Sequence, residues 1–207
     1  MNIPPRLRIK MALAGGEPKT EDSLSLALAH YLSHYYPAVR FHQDAAGLWH
    51  TKTQAGQMKL RNPHRGWPDF QIPIPCAPLG YSGLHIELKR KGETLKLTRD
   101  SKVFATTGYE SSRGATQYKD PNKGIYLPCK VKGTGRSKKL MRPVFEPFKR
   151  KKGQWVDAHI AEQAEWLEYL SDWGRLAVFG VGLENTLLIL EGYLRADAGL
   201  IKEGLTV

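Results

Sequence analysis

From Leu84 to Lys89 the side chains alternate between apolar and polar, so Leu84, Ile86 and Leu88 fall on one face of a strand and His85, Glu87 and Lys89 on the other. A short strand from Phe70 to Ile74 comes before it, reached through Gly66-Trp67-Pro68-Asp69. Pro73, Pro75 and Pro78 make its far end irregular, and residues 75–83 read as a hairpin-like return. Upstream, Leu24, Leu28, Tyr31, Leu32 and Tyr35 recur at helical spacing until Pro37 stops the run. Thr20 suits the N-cap of that helix, with Glu21 and Asp22 in its first turn, where the helix dipole favours negative charge. A brief alternating strand, Val39 to His42, follows. Further on, Ile160, Ala164, Leu167 and Leu170 mark one face of a second helix, which begins near Ala158 and ends at Gly174. Leu176 to Val181 is a continuous apolar strand of the buried kind, and Leu183 to Leu194 a closing helix. The order helix, strands, helix, strand, helix predicts an α/β domain with a mixed central sheet flanked by helices.

Three stretches lack such a pattern. Residues 1–19 hold Pro4, Pro5, Gly15, Gly16 and Pro18, and read as a flexible lead-in without a continuous element. Residues 92–154 form a basic insertion: short β-leaning pieces (Gly124 to Pro128, Arg142 to Phe145) sit among glycines and end in the run Lys149-Arg150-Lys151-Lys152. Residues 196–207 read as a loose tail. The ordered core is therefore expected at 20–91 and 155–195.

Charge narrows the function. The chain of 207 residues carries a formal net charge of +11, a field that attracts polyanions, of which nucleic acid is the usual one. Cys76 and Cys129 are far apart and in no Cys-X-X-Cys spacing, which argues against a disulfide framework or zinc knuckle and suits a reducing, cytoplasmic compartment. No apolar run approaches a membrane span, and the basic N-terminus precedes too short an apolar stretch for a signal peptide. There is no Gly-rich phosphate loop, no Gly-X-Ser-X-Gly elbow and no His-Glu-X-X-His; His30 and His34 have no third ligand at suggestive spacing and read as surface residues.

The candidate chemistry lies on the polar face of the 84–89 strand. Glu87 stands there beside Lys89, and Asp69 ends the turn before the preceding strand. Carboxylates against an apolar sheet are costly unless their charge is compensated, and a hard divalent cation with oxygen ligands is a common compensation. Pro68-Asp69, a spacer and Glu87-Leu88-Lys89 form a pattern similar to that of the PD-(D/E)XK nuclease superfamily. The flanks resemble the VRR-NUC family within it, especially its small phage-encoded members: an acid-led helix from Glu21, a basic loop from Gly47 to Arg65, Gly-X-Pro-Asp, Gly-Leu-X-Ile-Glu-Leu-Lys, and the helix beginning His159-Ile160-Ala161-Glu162-Gln163. The resemblance covers residues 20–95 and 157–195.

That resemblance implies a restriction-endonuclease-like core and hydrolysis of DNA phosphodiesters with Mg²⁺, for which Mn²⁺ substitutes. Asp69, Glu87 and the Leu88 carbonyl would hold the metal, Lys89 would orient the attacking water, and Gln163 would position the assembly. Glu21 has two readings, a complement to the helix dipole or a further acidic ligand, with Asp22 its confusable neighbour. His159, on the same side as Gln163, reads as a structural histidine. Lys52, Lys59, Arg61 and Arg65 in the loop, Arg90 and Lys91 after the strand, and Lys149, Arg150, Lys151 and Lys152 in the insertion are the expected DNA contacts, the insertion acting as a clamp. The favoured activity is a structure-selective endonuclease on branched or junction DNA in phage replication or recombination, as a homodimer. The alternatives are a non-specific or restriction-like DNase and a catalytically silent DNA-binding protein.

Overall fold

The computed structural model describes residues 3–43, 67–112, 115–122, 124–132 and 138–206. They divide into two compact units, one formed by residues up to 94 together with those from 157 onward, the other by residues 95–156. No helix among the described residues is long and apolar enough to cross a membrane.

The first unit is a mixed α/β structure around a four-stranded sheet in the order β1 (His42–Gln43), β2 (Phe70–Ile72), β3 (Leu84–Lys89), β9 (Leu176–Val181). β1 with β2 and β2 with β3 pair antiparallel, while β3 and β9 are parallel, with Glu87 opposite Phe179 and Lys89 opposite Val181. β3 is thus interior and all six of its residues are buried. On one face Leu84, Ile86 and Leu88 pack into a core with Leu24, Leu28 and Leu32 of α2 (Glu21–Tyr35) and Leu187, Ile189 and Leu190 of α4 (Gly182–Arg195). Each such side chain contributes about 1.5–3 kcal/mol of burial. α3 (Ala158–Asp172) covers the other face, where Leu167 and Leu170 join Ala177, Trp67 and Phe179. Thr20 caps α2 by accepting from Ser23 N–H at 3.1 Å.

Two expected loose ends are ordered. Pro5–Leu13 is a helix, α1, with Ile9 in the core, because Pro5 lies in the first turn, where a missing N–H breaks no helical bond. Arg8 anchors it: its guanidinium lies over the rings of Tyr35 and Tyr36, with Nη1 3.7 Å from the fully buried Glu191, which also accepts from Tyr31 Oη (2.5 Å) and Tyr36 Oη (2.7 Å). Residues 198–204 are also helical, as α5 (Ala198–Gly204), with Leu200 and Ile201 buried and Asp197 capping. Glu17 is fixed too, accepting Leu183 N–H at 2.6 Å where α4 begins; Gly182 there has φ +74°, and a Cβ would come within 2.9 Å of the Glu17 carboxylate.

The second unit is built of strands. β4 (Ser101–Ser111) and β8 (Lys139–Arg150) form a long antiparallel pair with an irregularity between Thr106 and Gly108; β7 (Lys130–Lys132) extends that sheet beyond β8. β5 (Gln117–Lys119) and β6 (Tyr126–Pro128) make a separate hairpin. The two ends of the second unit are joined by the bridge between Lys96 and Trp155.

Candidate active site

The β2–β3 register places the site. Phe70 pairs with Ile86, so the position opposite Leu88 would fall on Pro68, which has no N–H to offer and ends the ladder there. Asp69 occupies that gap. Its Oδ2 accepts the Leu88 N–H at 3.0 Å. Within a strand the N–H and C=O of one residue face the same edge, so the Leu88 carbonyl faces the gap that Asp69 borders.

Glu87 points to the opposite face from Leu88 and is 1% exposed. Its Oε1 accepts from Lys89 Nζ at 3.0 Å and from Gln163 Nε2. Its Oε2 is buried and meets no donor among the described residues. Lys89 Nζ also reaches Glu21 Oε1 at 3.3 Å. Gln163, buried on α3, has its Nε2 3.2 Å from His159 Nε2, which serves as acceptor in the Nδ1–H tautomer.

The electrostatics follow from burial. Glu87 is pushed up to about 8, first by desolvation and then by the neighbouring Asp69 charge, with Lys89 opposing. Asp69 is also raised by burial, against the Leu88 amide and Lys89. Burial alone would lower Lys89, but the Glu87 and Glu21 carboxylates outweigh it and its pKa is raised, so it stays an ammonium. Burial and the charge of neighbouring carboxylates raise both, and the single lysine beside them does not offset this.

A divalent cation fits this donor set. The unsatisfied Glu87 Oε2, the Asp69 carboxylate and the Leu88 carbonyl are hard oxygens, and no group of three His, Cys, Asp or Glu able to hold a metal occurs among the described residues. Two carboxylates with the remaining positions left to water and phosphate is the usual arrangement for Mg²⁺.

The six residues expected at the catalytic centre, Glu21, Asp69, Glu87, Leu88, Lys89 and Gln163, come together. Asp22 is exposed, and Glu21 is the acid that meets Lys89. His159 also belongs to the cluster through Gln163, a contact its i,i+4 spacing allowed. His85 was not singled out as a site residue, although the alternation put it on the Glu87 face. It lies against Trp67, with its Nε2 2.8 Å from Arg175 Nη1, and desolvation lowers it to about 4.

The expected DNA contacts separate. Arg90 and Lys91 are exposed on the first unit, near Glu93 (3.5 Å) and Glu17 (3.9 Å). Lys149, Lys151 and Lys152 are exposed on the second unit, but the Arg150 guanidinium donates to the carbonyls of Trp155 and Val156 and closes that unit instead. Lys52, Lys59, Arg61 and Arg65 lie outside the described residues.

No family model matches the chain, and no curated protein matches it. Among solved structures it is similar to one described as a VRR_NUC domain protein, at 17% identity, covering 86% of this chain and 90% of that one, with a TM-score of 0.45. So distant a likeness leaves the functional reading to the residues of the site.

Proposed function

We propose that the protein is a metal-dependent nuclease with a restriction-endonuclease-like core that hydrolyses DNA phosphodiester bonds, preferring branched or junction DNA. The observation that carries this reading is the proximity of Asp69 and Glu87, with one buried Glu87 oxygen that meets no donor among the described residues and Lys89 alongside.

Asp69, Glu87 and the Leu88 carbonyl would hold Mg²⁺ or Mn²⁺, with Glu21 in the outer environment. When bound, such a cation lowers the pKa of the attacking water and offsets charge building on the phosphate. Lys89, kept protonated by Glu87 and Glu21, acts as a donor to the attacking water or a phosphate oxygen and not as a base. Gln163 holds the Glu87 carboxylate in one rotamer, and His159 fixes the Gln163 amide. Asp69, immediately before β2, is held through Leu88 N–H, so it and Glu87 are both tied to β3.

The test is cleavage of a labelled four-way junction beside a plain duplex of the same sequence, with Mg²⁺ and with chelator. The junction is expected to be cut, in Mg²⁺ only, and Glu87→Ala to abolish cutting. Cleavage that persists in the Glu87→Ala chain overturns the assignment, and equal rates on duplex and junction overturn the preference.

A further inference from the structure

The net charge of this protein resides in its second unit. Sixteen of the thirty-one Lys and Arg, and four of the twenty Asp and Glu, fall in residues 95–156, which leaves that unit at +12 and the rest of the chain at −1. The unit that carries the carboxylate site therefore attracts no polyanion by its net charge.

The strand register places several of these charges on one side of the second unit. In β8, Lys139, Met141, Pro143 and Phe145 alternate onto one face. Tyr109 pairs with Pro143 and Lys130 with Met141, so both join that face, where Lys130 Nζ donates to Tyr109 Oη at 2.8 Å and lies 4.8 Å from the ring centroid. Lys132 is directly opposite Lys139, and both are exposed. Like charges opposed across a sheet are destabilising unless an anion lies between them.

The β5–β6 hairpin adds a second pair on the same side. Tyr118 on its inner face packs against Phe145 at 5.9 Å between centroids, so the alternate residues Lys119 and Tyr126, paired with each other, face outward. Tyr126 is 67% exposed and Tyr109 49%. Exposed rings beside lysines have nothing to stack on in a duplex, whose bases are already stacked, but they suit the open faces of unpaired bases.

We propose that this side of the second unit is a docking surface for an unpaired nucleic-acid strand, its phosphates taken by Lys119, Lys130, Lys132 and Lys139 and its bases stacked on Tyr109 and Tyr126. The proposal rests on the nuclease reading only in taking nucleic acid as the polyanion; it adds that the substrate carries a single-stranded part.

The test is fluorescence anisotropy of the full chain, in chelator, with an oligothymidylate of about 20 nucleotides and a duplex of equal length. The strand is expected to bind about ten-fold tighter than the duplex. Tyr109→Ala and Tyr126→Ala each weaken strand binding about ten-fold with duplex binding unchanged, while Tyr→Phe at either position retains it. The double change Lys132→Ala, Lys139→Ala flattens the dependence of log affinity on log salt by about 1.4. Phe148, 47% exposed on the opposite face of β8, is the control, and Phe148→Ala leaves strand binding unaltered. Equal affinity for strand and duplex, or Tyr→Ala variants that bind the strand as before or lose both ligands alike, overturn the proposal. No cation or cleavage enters this measurement, so its failure leaves the roles of Asp69 and Glu87 untouched, and their failure leaves it standing.

Discussion

Gln163 donates its side-chain amide to the buried Oε1 of Glu87 across 76 positions of sequence, the whole of the second unit lying between them in the chain. The bond joins α3 to the middle of the sheet and ties the helix face to the site. Gln163→Leu removes one of the two donors to that oxygen and frees the His159 ring. Cleavage is expected to fall about 100-fold in kcat with KM little changed, because the group positions a charge rather than binding substrate. Steady-state kinetics on the junction substrate check this; a rise in KM alone contradicts it.

Asp69 has two roles that different substitutions separate. Asp69→Asn keeps an oxygen for the Leu88 N–H and removes the charge that raises Glu87, so stability is expected to hold or rise while cleavage is lost. Asp69→Ala leaves that buried amide without its acceptor and should cost about 1–3 kcal/mol as well. Denaturant unfolding of the two variants is the measurement, and equal destabilisation would contradict the division.

The pH dependence of stability has two limbs. Glu87, raised from 4.5 to about 8 in the folded protein, holds a proton there that the unfolded chain releases. Its contribution is therefore present at low pH and is lost as pH rises toward about 8. His85, lowered from 6.5 to about 4, works in the opposite direction: its contribution is present above 6.5 and is lost as pH falls toward 4. Melting temperature in chelator should pass through a maximum between these limits. Glu87→Gln should flatten the alkaline limb alone, and Mg²⁺ should raise the melting temperature most where that limb is lowest.

Arg8→Met tests the anchoring of α1. It withdraws the cation nearest to fully buried Glu191 and leaves that carboxylate to Tyr31 and Tyr36. A loss of about 3 kcal/mol is expected, equivalent to a melting temperature lower by roughly 6–12 °C. The double variant with Glu191→Gln should recover most of it.

The β3 alternation made the face shared by Glu87 and Lys89 legible, because successive side chains of a strand point to opposite faces even where, as here, all six residues are buried. The partition between Glu21 and Asp22 was not legible, since both suit a helix first turn and only the Lys89 contact distinguishes them. α1 was hidden by reading Pro5 as a breaker at a place where proline begins a helix. β8 was legible only in its middle, as the β-leaning piece Arg142 to Phe145, although the strand runs from Lys139 to Arg150 through Pro143 and Pro147. β7 covers only Lys139 to Met141, so beyond them β8 has an open edge where a missing N–H costs no ladder bond. Arg150 belonged to a basic run that reads as solvated or nucleic-acid-binding, whereas its guanidinium satisfies two carbonyls that no sequence pattern announced.

The central claim is that Asp69 and Glu87 together bind one divalent ion. Titration of the full chain with Mn²⁺, free metal being read by electron paramagnetic resonance, tests it most directly. Saturable binding that is lost in both Asp69→Asn and Glu87→Gln, with melting cooperativity retained, is the predicted result; binding unchanged in either variant would contradict it.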